Sequence, residues 1–248
     1  MLAPQTLPQK HVAMDDLYEY LQRSRLFSCL SDSQTHELVQ ASTVRRLPPR
    51  ASINVSADQN RTVHLMMVGR AKVCYWTPDG KEPILYFVGP DELVGEQSIF
   101  SGESHEDVVE TLESSLIATI PTTLLRSLAL GEPAFTTSLS ELISRRRKKS
   151  ESRIRHLLFL SNRDRLTHLL LDLAEQHGTG TATHLDLDIK LSHQDLANFI
   201  GSTRETVTVV LGKMQAEGLL RVKRRRITLL DAATLGKAVN RRIPFVSG

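Results

Sequence analysis

The sequence predicts an α+β chain in which an antiparallel β-barrel or jelly roll is followed by a mostly helical back half. Three observations point there. First, for about 80 residues after Ala41, short runs rich in β-branched and aromatic residues alternate with turn signals. Second, beyond Pro121 the texture turns helical, with one long pattern from Ala134 to Phe159. Third, charge is divided. Residues 1–138 carry 11 Lys/Arg and 17 Asp/Glu, net −6, whereas residues 139–248 carry 20 and 11, net +9. An acidic front and a basic back read as two parts with different partners, the basic part suited to a polyanion.

Bulk composition narrows the class. The chain has 248 residues, 40% hydrophobic and 24% charged, as in an ordinary globular protein. No apolar run reaches 18 residues, and the start "MLAPQTLPQKHVAMDD" lacks a charged-then-apolar leader. A cytoplasmic protein without a membrane partner is expected. Cys29 and Cys74 are too few for a disulfide framework or a four-thiolate metal site, and both read as small core residues.

The elements follow in order. Leu17, Tyr20 and Leu21 keep helical spacing from Met14 to about Leu26, and Ser31 or Ser33 caps a short helix in "SDSQTHELVQA". Strands are expected in "TVHLMMVGRAKVCYW", "PILYFV" and "SSLIATI", separated by "TPDGK", "VGPDE" and "FSGES". "TTLLRSLAL" is helical and "GEP" at 131–133 ends it. The long helix then has apolar ends, Leu139, Leu142 and Ile143 before the charged centre "SRRRKKSESR" and Ile154, Leu157 and Leu158 after it. Such a stripe must be covered, and a second copy of the helix is the simplest partner. Of the basic run Arg145 to Lys149, most side chains should splay into solvent, with some folding back on acidic surface. The next helix, "RDRLTHLLLDLAEQHG", stops at Gly178, expected as a C′ residue. "THLDLDIK" alternates as a half-buried strand.

The stretch "LSHQDLANFIGSTRETVTVVLGKM" interrupts an apolar-periodic pattern with Gly201. Glycine costs a helix interior about 1 kcal/mol relative to Ala. It suits a sharp turn between two helices, the first capped by Ser192 with Asp195 at its third position, the second by Ser202 or Thr203. Val207, Val210, Leu211 and Met214 would face the first helix. That is helix-turn-helix geometry. It gathers Ser202, Thr203, Arg204, Glu205 and Thr208 at the start of the second helix, the end that enters a major groove. Arg can bridge guanine O6 and N7, and Glu can accept from cytosine N4. Ser192, Thr206 and Lys213 are candidates for phosphate. "EGLLRVKRRRITLLD" then reads as a basic hairpin, with Arg221, Lys223, Arg224, Arg225 and Arg226 adding salt-dependent affinity.

"LSHQDLANFIGSTRETVTVVLGKMQAEGLL" closely resembles the winged helix-turn-helix of the CRP/FNR family of bacterial transcription regulators. "LVGEQSIFSGE" is similar to the family's phosphate-cassette region, and the long helix and "RLTHLLLDLAEQHG" extend the likeness over most of the chain. The resemblance implies a cyclic-nucleotide-binding-like sensor domain over 1–133, a dimerisation helix over 134–162 and a winged helix-turn-helix over 163–248. It further implies a homodimer on a palindromic site in double-stranded DNA, with RNA polymerase as a partner.

Two departures matter. The effector pocket would draw on Gly95, Glu96, Gln97, Ser98, His105 and Glu106. Glu96 matches the family's ribose-contacting Glu. However, His105, Glu106 and Asp107 stand where cyclic-AMP binders carry an Arg-Ser pair, and no Arg lies between Arg70 and Arg126. A buried phosphate without a guanidinium is left unpaired. No cofactor is therefore expected. Cyclic nucleotide stays open, as does haem on the scattered His64, His105, Cys74, Met66 or Met67, and so does oxidation of Cys74. In the second departure, many members carry another Arg one turn after "RET", where this chain has Val209. The half-site should then differ from the family's usual one. Enzymatic chemistry in the barrel would want clustered metal ligands, and a scaffolding module would leave "STRET" and the basic hairpin without a role.

Overall fold

The computed structural model describes residues 14–54, 61–101, 107–181 and 184–241. The chain divides into two compact units, one of residues up to 76 and 86–146, the other of 77–85 and residues from 147 on.

The first unit opens with α1 (Met14–Arg23) and α2 (Asp32–Ala41). Ser31 caps α2 in a reciprocal box with Gln34. Eight strands follow: β1 (Thr43–Leu47), β2 (Ser52–Asn54), β3 (Thr62–Val68), β4 (Ala71–Tyr75), β5 (Ile84–Val88), β6 (Glu92–Val94), β7 (Asp107–Thr111) and β8 (Ser115–Pro121). They form two antiparallel four-stranded sheets ordered β1-β8-β3-β6 and β2-β7-β4-β5. This is a jelly roll of two open sheets rather than a closed barrel. The helices α3 (Thr122–Gly131) and α4 (Pro133–Phe159) come next.

The period of two along each strand explains the apolar runs. On β3, Val63, Leu65 and Met67 join Leu17, Leu21 and Phe27 and the helical residues Leu125, Leu128 and Phe135 in one cluster. Met66 points the other way, into a second cluster with Val73, Val109 and Ile117. β8 divides likewise, Leu116, Ala118 and Ile120 against Ile117. Both faces of this sheet are buried, so its strands read as nearly continuous hydrophobic runs. Cys74 is buried as expected, but Cys29 is exposed, because it lies in the turn between α1 and α2 rather than on a core-facing position.

The long helix departs from the expected stripe. Leu139 and Leu142 are buried in the first unit's own core, which takes them from the expected stripe, and Ile143 packs against that core while staying partly exposed. Most of the basic run is exposed as expected, and one member folds back on an acidic residue. Among its members Arg146 turns inward. Its guanidinium lies 2.7 Å from the Glu96 carboxylate, donates to the Leu93 carbonyl at 2.9 Å, and sits 4.3 Å over the Tyr86 ring. The side chains of Arg146 and Glu96 are only 14% and 3% exposed. Burial pushes the Tyr86 phenol above its ordinary value.

The second unit begins in the rest of α4. Ser161 caps α5 (Asn162–His177), which leads to β9 (Gly178–Thr181) and β10 (His184–Leu187). Gly178 ends α5 in an extended conformation, φ −77°, not the left-handed one expected of a C′ glycine. A Cβ there would lie 2.3 Å from the Ala174 carbonyl oxygen, so close approach explains the glycine. Then come α6 (His193–Ile200), α7 (Arg204–Ala216), β11 (Leu220–Lys223), β12 (Arg226–Leu229) and α8 (Ala232–Ala238). The four strands form one antiparallel sheet ordered β11-β12-β10-β9. Leu166, Leu170, Leu196, Leu211, Met214 and Leu229 are all buried in this unit. Among the described residues no helix is long and apolar enough to cross a membrane.

Removing one member of a buried ion pair strands the other without water or partner. Arg146→Met should therefore lower stability by about 3–5 kcal/mol, read from urea unfolding. Adding Glu96→Gln to that variant should recover most of the loss. A double variant no more stable than the single one would show that the pair is not the cause.

Candidate nucleic-acid interface

The site is built from two caps and one turn. The Ser192 hydroxyl accepts the Asp195 backbone N–H at 3.1 Å, while the Asp195 carboxylate accepts the Ser192 N–H at 2.8 Å and its hydroxyl at 2.5 Å. This reciprocal box starts α6, and it also uses the one hydroxyl hydrogen that Ser192 could offer a phosphate. α6 ends at Gly201, which adopts φ +66°, ψ 47°. That left-handed conformation is strained for any residue with a Cβ. The Ser202 N–H closes the turn on the Ala197 carbonyl at 3.0 Å. Thr203 then caps α7, accepting the Thr206 N–H at 3.2 Å.

Two arginines that the sequence did not single out hold the end of α6. Arg153 donates to the Phe199 carbonyl at 2.6 Å and to the Leu85 carbonyl at 2.6 Å, with its guanidinium 4.2 Å over the Phe199 ring. Its Nε is buried without a partner, and burial pulls the guanidinium down to about 10. Arg165 on α5 donates to the Ile200 carbonyl at 3.3 Å. Cations on the last carbonyls of α6 complement the negative end of its dipole. At the other end of α7, Arg163 makes a two-pronged pair with Glu217, at 2.7 and 2.5 Å. α6 and α7 are thus each held by an arginine from outside the pair at their C-terminal ends.

Val207, Leu211 and Met214 are buried, and α7 packs on α6 through them. The opposite face is open. Thr203, Arg204, Glu205, Thr208 and Lys213 are exposed, and Ser202 and Thr206 half-buried. Thr208 carries a surprise that its spacing did not announce. Its hydroxyl donates to the Arg204 carbonyl at 2.8 Å and lies 2.8 Å from His193 Nδ1 on α6. His193 is fifteen residues away, and no local pattern marks that pair.

The hairpin β11–β12 is the wing. Lys223 pairs with Arg226, leaving Arg224 and Arg225 as a two-residue turn with φ +49° and +67°. Two positive φ values are the geometry of a tight hairpin turn, usually made by Asn-Gly. Arginine there is held at a cost of about 1–2 kcal/mol per residue. Arg221, Lys223, Arg224, Arg225 and Arg226 are all exposed. The wing is tied to α7 by the Val222 N–H to Gln215 Oε1 bond at 2.8 Å, and to the segment before α6 by the Leu191 N–H to the Arg225 carbonyl at 3.3 Å.

The expected effector residues lie in the first unit. Gly95, at φ +80°, leads into a 3-10 turn over Glu96–Ile99. Glu96 is paired with Arg146, and the Ser98 hydroxyl donates to the Gly95 carbonyl at 2.6 Å. Gln97 is exposed. His105 and Glu106 lie outside the described residues. Arg126 reaches back to this turn but donates to the Ile99 and Ser98 carbonyls, at 2.7 and 3.0 Å. Arg126 and Arg146 thus both spend donors at this turn on acceptors of the chain itself. Of the haem candidates, His105 is outside the described residues and Cys74 is buried. Met66 and Met67 belong to different clusters, and His64 Nδ1 lies 3.1 Å from the Thr119 hydroxyl. Among the described residues no three His, Cys, Asp or Glu side chains come together as metal ligands.

Comparison with known proteins agrees with this geometry. Residues 44–131 match the cyclic nucleotide-binding domain, and residues 164–238 match the Crp-like helix-turn-helix domain. The chain is 23% identical over 219 residues to the CRP-like cAMP-activated global transcriptional regulator of Mycobacterium tuberculosis, covering 88% of this chain and 98% of that one. It is 28% identical over 198 residues to the regulatory protein HlyX of Actinobacillus pleuropneumoniae, covering 78% and 82%. The solved structure of the c-di-GMP-responsive global regulator CLP of Xanthomonas campestris superposes with a TM-score of 0.68 at 25% identity, over 80% of this chain and 99% of that one. A jelly roll followed by a helix-turn-helix, matched along nearly the whole length of known regulators, makes this chain a member of the CRP/FNR family of transcription regulators.

Proposed function

We propose that this regulator acts as a homodimer, in the cytoplasm, and reads a two-fold DNA site without needing a cyclic nucleotide or haem. The observation that carries the DNA reading is the exposed first turn of α7, where Arg204 and Glu205 stand free of the fold beside a rigidly capped helix start. Arg204 is the candidate for guanine and Glu205 for cytosine N4. Lys213 and the wing arginines would neutralise flanking phosphates, and the α7 N-terminus would favour another. No catalytic role is proposed for any residue.

The second copy is proposed to lie on the exposed apolar end of α4. Ile154, Leu158 and Phe159 are 56%, 68% and 80% exposed there, Ile154 and Leu158 one turn apart. Leu157 is only half-buried. A two-fold dimer would present two copies of α7 to successive major grooves. Contact with RNA polymerase rests on family membership alone. Independence from a cyclic nucleotide rests on the stretch after the Glu96 turn, where no Arg lies between Arg70 and Arg126 to pair with a buried phosphate.

Binding titrations on a duplex selected from a random pool test the reading. Arg204→Ala should lose about 5- to 100-fold in preference for the selected site over scrambled DNA, while keeping weak, salt-sensitive binding. Full retention of preference would contradict the base-reading role. Replacing the wing tip by Arg224→Asn with Arg225→Gly should have opposite effects on two measurements. Thermal unfolding should shift upward, because the left-handed strain is relieved. The log–log salt slope of binding should fall by about two per engaged wing. An unchanged slope would remove those two arginines from the phosphate contacts.

A further inference from the structure

The exposed face of α7 changes chemistry after its first turn. Arg204 and Glu205 offer polar groups. One turn on, the same face carries Thr208 and Val209, and one turn further Gly212. Val209 is 57% exposed, a β-branched apolar side chain on the solvent side of a helix. Thr208 adds nothing polar to donate. Its only hydroxyl hydrogen goes to the Arg204 carbonyl, and its oxygen is engaged by His193, which leaves the methyl as its free part. Gly212 sits inside the helix with no left-handed φ, and a Cβ there would meet nothing of the chain within 4 Å. Glycine is a poor residue for a helix interior, and no packing inside the protein asks for it. The bare stretch of helix makes room for something outside the chain.

We infer that Val209 is a specificity residue that reads the C5-methyl group of thymine, with the Thr208 methyl beside it and Gly212 allowing close approach. The inference rests on the proposal that α7 lies in the major groove. Thymine is the one base that presents a methyl group there, and it is recognised by apolar contact rather than by hydrogen bonding. The face then reads in two chemistries, hydrogen bonds from the first turn and methyl packing from the second.

The test uses the full-length chain and synthetic duplexes. A consensus is selected from a random-core duplex pool, and each dT of its half-site is replaced in turn by dU, which lacks only the methyl. For the unaltered protein, one replacement should weaken binding roughly fourfold per half-site, the value of one buried methyl. For Val209→Ala the same replacement should change affinity by less than about twofold. Val209→Ala leaves the buried face of α7 untouched, so its fold is not at issue. Equal dT and dU binding at every position, or the same loss in Val209→Ala, would overturn the inference while leaving the major-groove reading intact. Failure to select any consensus would overturn that reading, and the inference with it.

Discussion

The DNA-reading half of this protein depends on one backbone conformation, the left-handed turn at Gly201. It turns the chain between α6 and α7 within the three residues 201–203 and sets which side of α7 faces outward. A side chain at 201 would add torsional strain, and its Cβ would lie 3.0 Å from Leu157. The surrounding hydrogen bonds all stabilise the same geometry. Side-chain caps start both helices, reciprocal in α6, and two guanidiniums hold the carbonyls that α6 leaves unsatisfied at its end. Arg204 and Glu205 are thus exposed on a helix start whose backbone is capped. A groove-reading helix needs that combination.

The first unit is governed by a different constraint, a buried carboxylate that must be paired. Glu96 lies deep in the jelly roll, and the cation that neutralises it comes from the long helix rather than from a bound molecule. Arg146 therefore does two things. It satisfies Glu96, and it fixes the register of α4 against β6 through the Leu93 carbonyl. An ion pair of this kind is weak evidence for stability in itself but strong evidence that the two elements cannot move apart without a large penalty.

Much of this was legible in the sequence, for identifiable reasons. β3, β4, β5 and β8 are buried apolar runs between strong turn signals, and Ser31, Ser192 and Thr203 carry the expected cap chemistry. The strands that escaped notice are those whose pattern is weak. β1 reads "TVRRL", with two exposed arginines, β2 and β6 are three residues long, β7 is "DVVET" with acidic residues on either side of two valines, and β9 is "GTGT". Their pairing comes from neighbours, not from local propensity. Long-range partners were invisible too. A five-residue basic run hides the one member that turns inward, and nothing near Leu139 says that its cover is the chain's own core rather than a second copy. In the recognition helix, periodicity placed Thr208 correctly on the surface but could not reveal that His193 occupies its hydroxyl.

The central claim is that the turn at Gly201 delivers the outer face of α7 to base edges with the wing beside it. Amide chemical-shift mapping of the full chain, titrated with its selected duplex, tests this most directly. The account predicts that the largest shifts fall on Thr203 to Val209 and on Arg224 and Arg225. Saturating DNA that left those amides unmoved, with the shifts on α5 or α8 instead, would contradict it.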